Sequence, residues 1–160
     1  LILLDRPLGW SRLTALLQDG RREMLDRYTG LSVVRFFAQY CPDRIHRDIL
    51  AEAIDPLLDQ PDMADIVVEQ YRLWGRWEKT GRIVSLYGRG GFNLPGIKRP
   101  VLRFALSCPE QTPGRVKAAA LVRALRELAP EWVADAEELL RLEEQSRREE
   151  ADRKKTVPQP

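Results

Sequence analysis

Histidine and cysteine are nearly missing from this chain of 160 residues: one histidine, His46, and two cysteines, Cys41 and Cys108, far apart in sequence. A zinc site needs four such ligands at short spacings, so none assembles within one chain. Nucleophilic catalysis needs a base beside a serine, threonine or cysteine. The sole imidazole lies in "DRIHRD", among Asp43, Arg44, Arg47 and Asp48, and reads as a surface side chain. No catalytic residue, metal or cofactor is therefore expected, and the chain reads as non-enzymatic. The two cysteines read as reduced, core-packed thiols of a cytoplasmic protein.

Long hydrophobic runs are absent as well. The opening "LILLDRPLGW" has four apolar residues before Asp5, too few for a membrane span or a signal-peptide core, so no membrane partner is expected. A chain that opens on leucine reads as a processed product or a piece of something longer. A strong net charge is lacking too: 26 basic against 24 acidic residues leave +2, too little by itself to draw a polyanion. The glycines of "YGRGGF" lack the spacing of a dinucleotide loop, and no lysine followed by serine or threonine supplies a triphosphate loop. They read as turn residues.

What is present is a 44% hydrophobic composition, enough for one core without staples, and a periodicity that is mostly helical. Ser11 caps an expected helix over residues 11–28, with Gly20 as its weak point. "LSVVRFFAQYC" is apolar nearly all round and reads as buried, ending at Pro42. Residues 43–58 form a helix capped by Asp43 and divided by Pro56. Residues 62–80 form another, stopped by Gly81. Pro113 and Pro130 open two more, and from Glu143 onward hardly any apolar residue remains. The last helix should leave the core there and fray into the "TVPQP" tail.

Between Gly81 and Leu106 the pattern changes. "RIVSLY" and "PVLRFALS" flank a segment broken by glycine and proline, and Leu102, Phe104 and Leu106 alternate with Val101, Arg103 and Ala105. A period of two predicts a half-buried strand. The fold class expected is thus mainly α: a compact helical domain over 1–142 with one two-stranded β-ribbon at about 82–107, and a long charged C-terminal helix and flexible tail over 143–160. No internal repeat is evident. The order helix (31–41), helix (43–58), helix (62–80), then "WEKTGRIVSLYG" and "RPVLRFAL" as the third-helix end and a wing, resembles a winged helix-turn-helix domain. That resemblance implies nucleic acid bound through the third helix and the wing.

Charge agrees with this placement, because residues 81–118 carry seven basic side chains and one acidic. Acidic Asp62, Asp65 and Glu69 occupy the front of the third helix, which directs phosphate contact to its end and to the ribbon. The candidate backbone-binding residues are Arg72, Arg76, Lys79, Arg82, Arg89, Lys98, Arg99 and Arg103, which would meet DNA or RNA as counterion-displacing charges. A second function stands beside this one: a small helical scaffold subunit of a protein or ribonucleoprotein assembly. In that reading Phe92, Leu94 and Ile97 are exposed at the ribbon tip and dock on a neighbouring protein subunit.

Overall fold

The computed structural model describes residues 6–156, so readings of the opening "LILLD" and of the final "VPQP" lie outside the described residues. Eight α-helices follow one another: α1 (Arg6–Gln18), α2 (Met24–Tyr40), α3 (Arg47–Ile54), α4 (Ala64–Trp74), α5 (Thr80–Val84), α6 (Pro95–Ser107), α7 (Arg115–Leu128) and α8 (Pro130–Thr156). Short 3-10 turns at Asp55–Asp59, Trp77–Lys79 and Gly90–Phe92 join some of them. None of these helices is long and apolar enough to cross a membrane.

Chain neighbours pack as α1 on α2, α2 on α3, α5 on α6, α6 on α7 and α7 on α8, and several helices two apart also pack side by side. The most extensive of these contacts is α4 on α6, with α6 on α8, α5 on α7 and α1 on α3 repeating the relation. Arg35 of α2 reaches Gln70 of α4, and Arg82 of α5 reaches Asp55 and Asp59 after α3. Two layers result, one of α1, α3, α5 and α7 and one of α2, α4, α6 and α8. Stacking helix pairs in this way is how α-solenoids are built.

Several boundaries differ from expectation for local reasons. The first helix breaks at Asp19–Glu23, around Gly20, and resumes as a separate α2. His46, not Asp43, caps α3: its Nδ1 accepts the Asp48 amide at 3.3 Å. α4 stops at Gly75 and not at Gly81, because Gly75 adopts φ +67°. There its N–H meets the Arg72 carbonyl while that of Arg76 meets the Tyr71 carbonyl at 2.9 Å, the paired bonds of a Schellman stop.

The β-ribbon is the main correction. The described residues contain no strand: the first run assigned to the ribbon is the end of α5 followed by a turn over residues 85–88, and the second lies within α6. In α6 the buried set is Ile97, Pro100, Val101, Leu102, Phe104 and Ala105: Ile97, Val101 and Phe104 share one side at spacings of four and three, and Leu102 and Ala105 share another at a spacing of three. Val101 and Ala105, which strand alternation places on the outer face, are as buried as Leu102 and Phe104. Pro95 sits in the first turn, where its fixed φ suits a helix start. Pro100 omits a hydrogen bond to the carbonyl of Gly96, an exposed first-turn residue open to water. With both strands gone, the wing of the winged-helix comparison is gone as well. The chain is all-helical where it is described.

The helical register of α6 has a direct test. Val101→Asp and Ala105→Asp should each cost roughly 3 kcal/mol or more in urea unfolding, because each buries an unpaired charge. Leu94→Asp, at an exposed position, should cost less than about 0.5 kcal/mol. A ribbon would tolerate the first two.

Candidate interaction surface

The eight candidate cations divide into two groups. Five are tied to carboxylates within the fold. Arg72 is buried and donates to Glu69 and, at 2.6 Å, to Glu143 on α8. Arg103 of α6 reaches the same Glu69 at 3.2 Å, so two carboxylates and two arginines connect α4, α6 and α8. Arg76 pairs with Asp48 and Glu78. Lys79 lies 2.8 Å from Asp55, and Arg82 bridges Asp55 and Asp59.

Asp55 is the hub of that last group. The buried Tyr71 hydroxyl lies 2.9 Å from both its Oδ1 and the Ala51 carbonyl, one proton serving two acceptors. Burial alone would raise the Asp55 carboxyl; the hydrogen bonds from Lys79, Tyr71 and Arg82 outweigh it and hold the group below its ordinary range. Each of these five cations already holds at least one carboxylate, so contact with a phosphate would compete with an internal partner.

Arg89, Lys98 and Arg99 form the second group. Each lies over an aromatic ring: Arg89 at 5.6 Å from the Phe92 centroid, Lys98 at 5.5 Å from Tyr87 and Arg99 at 5.6 Å from Trp132. No carboxylate among the described residues forms an ion pair with any of them. Resting on a ring leaves a cation's outward side free for an anionic partner.

The three apolar candidates also part company. Phe92 and Ile97 are 6% and 2% exposed and belong to the main core, so neither stands at a tip. Only Leu94 is open, at 59%. The segment from Ser85 to Leu94 is therefore a connection pinned to the core by Phe92, and the expectation of an exposed three-residue docking tip is corrected.

Sequence reasoning missed the surface beside Arg99. A groove of about 430 Å³ runs between α6 and α8, with Arg99 and Arg103 on one wall and Trp132, Asp135, Ala136, Glu138 and Leu139 on the other; Glu138 is paired with Arg141. Leu139 is half exposed, as are Leu142 further along α8 and Leu73 on α4. Nothing in the sequence joins Arg99 to Trp132, because the pairing depends on α8 lying against α6.

The Asp55 hub generates a pH prediction. Its folded carboxyl titrates below the ordinary 3.8, so its stabilisation is fully present above that value and is lost as pH falls through the lower folded one. Asp55→Asn should cost about 2 kcal/mol at neutral pH. It should also flatten part of the acid-side decline below about pH 4, read from urea unfolding at a series of pH values.

Comparison with known proteins gives no match: no protein family, no curated protein and no solved structure matches the chain.

Proposed function

We propose that the chain is a non-enzymatic helical scaffold that docks a partner protein on the outer face of the α2, α4, α6 and α8 layer. The observation that supports it is the α6–α8 groove, in which apolar Trp132 and Leu139 stand beside Arg99, a cation with no internal carboxylate. An apolar floor with a charged rim suits a protein segment that inserts a hydrophobic side chain and places a carboxylate beside it. Stacked helix pairs present such surfaces on rigid elements.

Nucleic-acid binding is the second reading, and the free cations Arg89, Lys98 and Arg99 favour it. Three phosphate contacts give a salt slope of only about −2 to −3, where all eight cations would give roughly −6 to −7. That difference separates the two readings.

Two measurements test this. In binding to short single- and double-stranded oligonucleotides across a salt series, the slope should not exceed about −3 in size. Changing Arg89, Lys98 and Arg99 to alanine should abolish what binding there is. A steep slope that survives the triple change would overturn the assignment. For a co-purifying protein, identified and then titrated in purified form, Arg99→Glu and Leu139→Glu should each weaken binding at least about tenfold, while Leu94→Glu leaves it unchanged. Equal binding by all three variants would remove the groove from consideration.

A further inference from the structure

α2 carries a second apolar stripe that the core does not use. Gly30 faces α1, where an added Cβ would meet Leu17, Leu16 and Leu13 within 3.0 to 3.3 Å. Arg35 faces α4 through Gln70. On the remaining open arc stand Leu25, Thr29, Ser32, Phe36 and Tyr40, spaced by four, three, four and four. Steps of three and four keep these residues on one side of the helix, the side by which it can pack along another. Leu25, Phe36 and Tyr40 are 73%, 48% and 65% exposed.

Two features equip this stripe for burial. The exposed positions from Tyr28 to Tyr40 are Tyr28, Thr29, Ser32, Phe36, Gln39 and Tyr40, none of them charged, in a chain that is 31% charged. Of the three hydroxyls in the stripe, that of Tyr40 lies at its end and the two aliphatic ones at its centre are already satisfied: Thr29 donates to the Leu25 carbonyl at 2.8 Å and Ser32 to the Tyr28 carbonyl at 2.9 Å. Covering them therefore strands no donor. The α7–α8 end of the stack is different, with Arg123, Arg126, Arg141, Glu137 and Glu144 along its groove.

We infer that the α2 stripe is a self-association surface, occupied by α2 of a second copy of this chain in antiparallel packing about a two-fold axis near Ser32. The stripe is self-complementary in that arrangement. Leu25 falls opposite Tyr40 of the second copy and Thr29 opposite Phe36, with Ser32 and its symmetry mate at the crossing, and each pairing recurs with the copies exchanged, as an isologous interface requires. Small side chains meet at the crossing, where the helices come closest, and larger ones fill the flanks. Antiparallel helices also set opposite dipole ends together. Two such helices bury on the order of 1,000 Å² in total, the lower end for a specific interface, so the dimer is a micromolar one. Head-to-tail stacking is disfavoured because it would press the arginine-rich α7–α8 end onto Phe36 and Tyr40.

Sedimentation equilibrium on the full chain from about 1 to about 300 μM brackets that affinity. The mass should rise from monomer toward dimer across this range. Phe36→Glu and Tyr40→Glu should hold the protein monomeric with an unchanged far-UV circular dichroism spectrum, and Leu94→Glu should not alter the rise. In a Cys41→Ser background, Ser32→Cys should give a disulfide-linked dimer under mild oxidant and Leu142→Cys should not. A mass that stays monomeric at the highest concentration overturns the inference, as does a dimer indifferent to Phe36→Glu. Since neither groove residue Arg99 nor Leu139 belongs to the stripe, failure here leaves the partner-docking reading standing, and failure there leaves this one.

Discussion

α6 is buried on two sides at once, and the remainder of the stack depends on that. Ile97, Val101 and Phe104 enter the main apolar cluster with α4, while Leu102, Ala105 and Cys108 enter a second one with α7 and α8. Trp77 and Tyr87 touch both clusters, and the Trp77 ring lies 5.0 Å from that of Phe104. Burying a side chain of this size contributes about 1.5–3 kcal/mol, so the helix joins two cores through residues that neither core can spare. Gly114 shows how tight the surroundings are: a Cβ there would stand 2.4 Å from the Thr80 side chain, where α7 begins beside α5.

Charge supports the same geometry. Glu69 holds Arg72 and Arg103 while Arg72 also reaches Glu143, so the layer of α4, α6 and α8 is joined by hydrogen-bonded ions as well as by apolar contact. Arg27 plays a comparable part earlier in the stack: buried, it donates to Asp62 and Gln60 and to the Arg22 carbonyl at 3.1 Å, closing the α1–α2 turn over the start of α4. The functional consequence is subtraction. Of the eight candidate cations, five are held by carboxylates inside the fold and three, Arg89, Lys98 and Arg99, each rest on an aromatic ring.

Two surfaces remain with chemistry not used by the fold itself. One lies between α6 and α8 and mixes a free arginine with tryptophan and leucine; the other runs along α2 and is uncharged. They belong to the same layer but to different helix pairs, so a partner at one need not displace a partner at the other.

Most of the helices were legible in the sequence, because an apolar side chain every three or four residues is a local property. The boundaries that shifted, at Gly20, His46 and Gly75, moved by backbone and capping choices within a few residues. The ribbon was not legible, since a helix buried on both sides shows no single apolar face, and Pro95 and Pro100 punctuate it like a loop. The charge of residues 81–118 was counted correctly from composition, yet the carboxylates that neutralise Arg82 and Arg103 lie at Asp55, Asp59 and Glu69, outside that window. Composition and period thus determined a helical chain with a local excess of arginine. Which arginines stay free, and which apolar stripe stays open, was decided only by tertiary packing, because ion pairs and burial form between segments that sequence distance does not relate.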